Sequence, residues 1–421
     1  MKIVKKFFRK LGPGFITGAS DDDPSGIATY SQTGAMFGYS QLWTALFSFP
    51  FMSVVQEMCG RIGLVTGKGL SGVIRHHYSR AVLWFAVVLL VVANTINIGA
   101  DLGAMAASGQ MLFDIPFIFW LIGMTVLILI LEIFVSYKVY ARVLKYLAFS
   151  LFAYIITAFI IKQDWSVVFL STFIPNIAFS KAYIFNIVAI FGTTISPYLF
   201  FWQAGEEVEE EVEKGKIRSM GAGIPKINNR DIKDMRTDTI IGMFFSNIVM
   251  FFIIVTTAST LHAHGITHIE TAAQAAEALR PIAGDFAYVL FALGIIGTGI
   301  LAVPVLSGSA SYALSEAFGW REGFYRKFEK AHGFYGVITV ATLIGLLVNF
   351  TSIAPFQMLY YTAIINGIAA PPLLILILLI TNNKKIMGKY VNSFASNIFG
   401  IIITAIMGIA AIFLIASFFM K

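Results

Sequence analysis

The chain has 421 residues, 57% hydrophobic and 13% charged, with a formal net charge of +7 at pH 7. Soluble domains carry roughly 25% charged residues, so this composition excludes a soluble globular protein and points to an all-α polytopic membrane protein. The single cysteine, Cys59, excludes an intrachain disulfide and a cysteine-based metal cluster.

The first residues, MKIVKKFFRK, are basic and run straight into apolar sequence, with no cleavable signal in view. About 20 apolar residues cross ~30 Å of hydrocarbon. On that measure eleven spans are expected, near 13–36, 41–63, 82–107, 115–136, 145–162, 182–205, 238–261, 285–310, 333–350, 355–381 and 394–420. These crossings divide the loops into two sets. The set that includes the N-terminus holds 26 of the 30 Lys and Arg residues; only Lys162, Lys181, Arg280 and Lys421 fall in the other. The positive-inside rule therefore places the N-terminus in the cytoplasm and the C-terminus outside. A lipid bilayer, not nucleic acid, accounts for the positive charge. Localisation to the plasma membrane, the inner membrane of a bacterium, is expected.

The first span contains GASDDDPSGIATY (18–30), in which Asp21, Asp22 and Asp23 precede Pro24 and Gly26. The sixth reads FGTTISPYLFFWQAG (191–205) and breaks near Ser196-Pro197. The two breaks are five spans apart, so the segments cross in opposite directions. Paired Gly/Pro-interrupted spans at matching places in two halves mark an inverted-repeat transporter. The plainer reading is a proline kink in each helix. A mid-bilayer acid costs ~2.5–3.5 kcal/mol on insertion scales, so at least one of the three faces a wet cavity. An unwound turn adds free carbonyls, and the end of the first half-helix adds negative dipole. All of this favours a cation. Asp23, next to the break, is expected to face it. Asp21 and Asp22 line an aqueous entry or pair with partners elsewhere.

In the third span Asn94, Asn97 and Asp101 share a face, lining a cavity or bonding neighbouring helices. Glu57 and Arg61 are spaced for an ordinary ion pair, and SGSAS (307–311) for close helix packing. EEVEEEVEKGK (206–216) reads either as a solvated helix end or as an acidic inner vestibule that draws in or senses a cation. HAHGITH (262–268) places His262, His264 and His268 in an outer loop, either as incidental histidines or as a metal site. No phosphate-binding glycine loop, catalytic triad or zinc-protease motif is present, so no enzyme and no cofactor is expected.

LGPGFITGASDDDPSGIATYSQTGAMFGYSQLW (11–43) resembles the first span of the NRAMP divalent-metal transporters, whose motif there is Asp-Pro-Gly-Asn. RIGLVTGKGL (61–70), GTTISPY (192–198) and NNKKIMG (382–388) are also similar to that family. The resemblance implies a LeuT-type fold of eleven helices. Residues 12–162 and 182–381 would form 5+5 inverted repeats, with 394–420 as an added helix. The ion would sit between the broken first and sixth spans. Carried onto this sequence, the family's ligands fall on Asp23, on Gly26 where the family has Asn, on the Thr193 carbonyl, and on Ser196 where the family has Met. Tyr198 stands where the family has His. Asp101 matches a family acid, and Ala104 stands where the family has a Glu associated with proton movement. Gln357 loosely matches a glutamine that approaches the ion, and Asp22 is a further cavity-lining candidate.

These departures agree with one another. A thioether favours transition metals over Mg²⁺, and a hydroxyl in its place leaves an all-oxygen site. Losing the Asn side chain leaves more room. Mg²⁺ keeps several waters and needs only one or two carboxylates. The expectation is a secondary transporter that takes up partly hydrated Mg²⁺, similar to the NRAMP-related magnesium transporters, without proton coupling; Mn²⁺ also fits an oxygen site. A proton-coupled Mn²⁺/Fe²⁺ transporter and a sodium-coupled organic-solute transporter of the same fold remain the alternatives. No obligate protein partner is expected.

Overall fold

The structure is a computed structural model that describes residues 12–135, 152–161 and 163–419. The basic N-terminal residues Lys2 to Lys10, then Lys138, Arg142, Lys145, Lys162 and Lys421, and the first part of the expected fifth span (145–151) lie outside the described residues. Among the described residues the fold is helical throughout, without a strand. The main helices are α1 (Pro13–Asp21), α2 (Pro24–Phe37), α3 (Trp43–Thr66), α4 (Leu70–His77), α5 (Arg80–Leu112), α6 (Phe117–Phe134), α7 (Phe152–Ile160) and α8 (Trp165–Phe173). They continue as α9 (Lys181–Thr194), α10 (Pro197–Glu213), α11 (Asn229–Thr260), α12 (Ala287–Phe318), α13 (His332–Val348), α14 (Pro355–Asn382) and α15 (Phe394–Phe419).

Seven stretches of the described residues are long and apolar enough to cross a membrane: α5, α6, α9 with α10, α11, α12, α14 and α15. A shorter apolar helix, α13, joins them. The first two expected spans are present as α1 with α2 and as α3, and the fifth enters the described residues as α7. Helix ends overrun the apolar runs where polar chemistry continues the helix. At the start of α11 the Asn228 side chain and Asp231 form a capping box, which begins the helix well before the expected 238.

Both expected breaks are present, and local chemistry makes them. Pro24 has no N–H to give and disfavours helical geometry in the residue before it. Asp22 ends α1, and Asp23, at φ −66° and ψ 170°, leaves the helix and N-caps α2 through Gly26 N. The second break repeats this plan. Ile195 ends α9, and Ser196, at φ −80° and ψ 136°, precedes Pro197 at the first position of α10. The tertiary frame fixes both breaks in place. Helix α11 packs along α1, α2 and α3, while α9 packs on α14 and the long α5 on α12, α13 and α14. Contact between α1 and α11 depends on absent side chains: a Cβ at Gly18 would collide with the Gly242 backbone. Asp238 of α11 accepts from the amides of Gly12, Gly14 and Phe15, capping α1 from outside its own sequence.

The solvated-end reading of 206–216 is corrected. Glu206, Glu207, Glu209 and Glu211 are buried: the loop between α12 and α13 and Tyr312 of α12 lie over one side of α10, and Gln203 and Lys216 meet the others. Glu209 accepts from the amides of Phe324 and Tyr325 and, with Glu206, from the Tyr312 hydroxyl. Glu211 pairs with Lys216 at 3.2 Å, and Glu207 accepts from Gln203. The run fastens the loop between α12 and α13. Glu57 and Arg61 pair at 3.1 Å, and Arg236 joins them at 2.8 Å.

Candidate metal site

The two breaks meet. A methyl group built at Gly26 would lie 3.3 Å from both Asp23 Oδ1 and Thr193 Oγ1, so α2's first turn touches α9's last. Close approach of α9 to α14 at Gly192 fixes the height of Thr193; a Cβ there would collide with the Ala363 carbonyl and Gly367. The Tyr198 hydroxyl donates to the Ser20 carbonyl at 2.9 Å, tying α10 to α1. Asp23, Thr193, Ser196 and Tyr198 are each no more than 1% exposed. In this conformation the site is closed to both faces.

Asp23 is held by three groups. Oδ1 accepts from Gly26 N at 2.6 Å and from Ser25 Oγ at 2.8 Å. Oδ2 accepts from Ser25 Oγ at 3.0 Å and from Asn97 Nδ2 of α5 at 3.2 Å. Ser196 does not cap α10. Its hydroxyl donates to the Gly192 and Thr193 carbonyls, both at 2.7 Å, which leaves its lone pairs as acceptor oxygen beside the break. Asp101, one turn beyond Asn97 on α5, is fully buried, and neither of its carboxylate oxygens has a hydrogen-bond partner.

Asp21 and Asp22 form a second group on α1. Ser246 of α11 donates to Asp21 Oδ2 at 2.5 Å and to Asp22 Oδ1 at 3.3 Å. Asp21 Oδ1 and Asp22 Oδ2 remain unpartnered and buried. Asp22 therefore faces α11 rather than the Thr193 side of the break. Among the described residues no Lys, Arg or His hydrogen-bonds to any of the four aspartates. Four carboxylates buried without a basic partner demand protons or a cation.

The expectation for Gln357 is corrected: it is exposed in the first turn of α14. Asn366, nine residues on, is the buried amide of that helix. It sits between Ala363 and Gly367, which face Gly192, and both its amide atoms lack partners. The polar face of α5 divides. Asn94 bonds α12 through the Leu306 carbonyl and Ser309, whereas Asn97 bonds Asp23. Buried Glu132 of α6, bonded by the Ser307 hydroxyl, was not singled out; a lone acid inside an otherwise apolar run was its signal. Of the histidines in HAHGITH, His262 donates to the Ala35 carbonyl and His264 to that of Thr260. Among the described residues no three His, Cys, Asp or Glu side chains converge as a metal-ligand set.

The donor set at the break is therefore sparse and oxygen-based: the Asp23 carboxylate, broken-turn carbonyls and the hydroxyls of Thr193 and Ser196. Met105 packs its thioether against Gly299, where the Pro24 ring also approaches. A sparse oxygen set suits an ion that brings water with it.

The sequence model of the natural resistance-associated macrophage protein-like (Nramp) family matches residues 14–417. A relative named divalent metal cation transporter MntH, from Caldanaerobacter subterraneus subsp. tengcongensis, is 25% identical over 415 residues, covering 96% of this chain and 91% of that one. MntH of Yersinia pestis is 25% identical over 417 residues, covering 96% and 94%. Among solved structures, the Eremococcus coleocola manganese transporter superposes with a TM-score of 0.76 at 16% identity, over 99% of this chain and 87% of that one. Mhp1, a nucleobase-cation-symport-1 family transporter, gives 0.58 at 11% identity, over 97% and 93%. These likenesses establish the all-α, LeuT-type fold.

Proposed function

The chain belongs to the Nramp family, and from that premise we propose that it carries divalent metal cations across the membrane, with partly hydrated Mg²⁺ as its principal substrate. The ion enters between the broken spans and meets Asp23, the backbone at Gly26, the Thr193 carbonyl and the Ser196 hydroxyl. Residues 12–162 and 182–381 act as the two inverted repeats whose relative motion exposes the site to each face in turn. The N-terminus lies in the cytoplasm. The membrane potential drives uptake, at ~2.3 kcal/mol per charge per 100 mV.

The observation that carries this reading is the meeting of the two breaks: Asp23 Oδ1 and Thr193 Oγ1 both flank Gly26, and the Ser196 hydroxyl bonds the Thr193 carbonyl. Charge at the break calls for a cation, and oxygen where a thioether would favour a transition metal leaves room for a hard one. Uptake uncoupled from protons rests on the sequence departures at Ala104 and Tyr198, which stand where the family has Glu and His; the buried, unpartnered Asp101 carboxylate of α5 is the titratable group against which a pH reporter tests it. A second reading, proton-coupled Mn²⁺ transport, is favoured by the names of the relatives and by the nearness of Met105 to Pro24. Uptake into proteoliposomes loaded with a pH reporter separates the two. Mg²⁺ entry without acidification supports the first. Mn²⁺ entry that excess Mg²⁺ does not inhibit, with acidification, supports the second.

A further inference from the structure

We infer that Asn97 restores to the site the amide that Gly26 lacks, and that it binds a water of the hydrated ion rather than the ion itself. The inference rests on the Mg²⁺ reading above and adds a selectivity residue to it.

Asn97 is fully buried on α5, and its Nδ2 donates to Asp23 Oδ2 at 3.2 Å. An ionised carboxylate only accepts, so the NH₂ group must be the one that faces it. That fixes the amide's orientation, with Nδ2 on Asp23 and Oδ1 on the adjacent side of the same amide. Oδ1 has no hydrogen-bond partner and is buried. A buried carbonyl oxygen left unbonded is costly, which is why such groups nearly always find a donor. The two amide atoms share one carbon, so this orphan acceptor sits beside the Asp23 carboxylate.

A bare cation would meet Oδ1 as a ligand; a hydrated one presents water O–H groups to it. Under the hydrated-Mg²⁺ reading the group that meets Oδ1 is water. Asn97 already donates to Asp23, so metal-bound water shared between Asp23 and Oδ1 closes a ring in which every group has its partner. Asn94, three residues earlier, also has an unpartnered Oδ1, but its Nδ2 is bonded across to α12 rather than to Asp23. It provides a matched control that touches helix packing and not the site.

Asn97→Ala in liposomes should lower Mg²⁺ uptake about tenfold relative to Mn²⁺ uptake, the scale of one hydrogen bond to a charged group. The shift arises because Mn²⁺ sheds water more readily than Mg²⁺. Asn94→Ala should reduce both ions in the same proportion. Should Asn97→Ala not be recovered in folded form, Asn97→Ser carries the same test. An unchanged Mg²⁺ to Mn²⁺ ratio in the Asn97 variant overturns this inference alone. Wild-type protein that takes up Mn²⁺ and no Mg²⁺ overturns the substrate reading together with it.

Discussion

The Tyr198 hydroxyl reaches the Ser20 carbonyl at 2.9 Å and so joins the two broken spans through a side chain of one and the backbone of the other. Ser20 lies in the last turn of α1, where carbonyls have no partner within their own helix. The bond therefore holds α1 against α10 while the site is closed. Tyr198→Phe removes one hydrogen bond, worth about 1 kcal/mol. Amide hydrogen exchange over 13–21 should quicken about fivefold, the factor that energy sets on local opening. Unchanged exchange would show that α1 is held by its other contacts alone.

Gly18 faces the Gly242 backbone with no space for a methyl group. Gly18→Ala should force α1 away from α11 and cost about 1–3 kcal/mol, the range for overpacking. The expected readout is a lower melting temperature and lost Mg²⁺ uptake. Gly123 has open space around it, so Gly123→Ala should leave both unchanged.

Glu322, in the loop beyond α12, is buried with Oε2 unpartnered. Burial, then the carboxylates of Glu316 and Glu209, hold its carboxyl well above the usual range, with Arg326 pulling weakly the other way. The folded chain thus keeps this proton to a higher pH than the unfolded chain does. Ionising it opposes folding. The penalty is absent below the unfolded value of about 4.3 and grows as pH rises from there. Glu322→Gln should melt higher than wild type at pH 8 and at the same temperature at pH 4. An equal shift at both pH values would assign the effect to packing.

Legibility followed locality. The breaks could be read because Pro24 and Pro197 act on their immediate neighbours, and Asp23 because it adjoins one of them. Ser246 could not, since it reaches Asp21 and Asp22 from 225 and 224 residues away. Glu209 looked solvated for the same reason: what covers it is a loop more than a hundred residues later. Gln357 failed through helical phase. Nine residues at about 100° each put Asn366 on the opposite face of α14, and composition alone does not say which face is inward. Asn94 and Asn97 share a stripe in sequence, and only packing tells the one that grips α12 from the one that grips Asp23.

The oxygen character of the site can be altered at one atom. Ser196→Cys replaces a hard donor with a soft one at nearly constant size. It should raise Cd²⁺ and Mn²⁺ uptake relative to Mg²⁺ several-fold. Met105→Leu should leave that ratio as in wild type. A selective loss of Mn²⁺ uptake in Met105→Leu would make the thioether a ligand.

The central claim is that the charge of Asp23 holds the ion. Asp23→Asn tests it most directly, because asparagine N-caps a helix as well as aspartate does and so preserves the turn through Gly26. Mg²⁺ titration and liposome uptake on the folded variant should show affinity reduced about a hundredfold, the scale of removing one partner from a buried charge pair, with uptake lost. Wild-type affinity and uptake in folded Asp23→Asn would contradict the account.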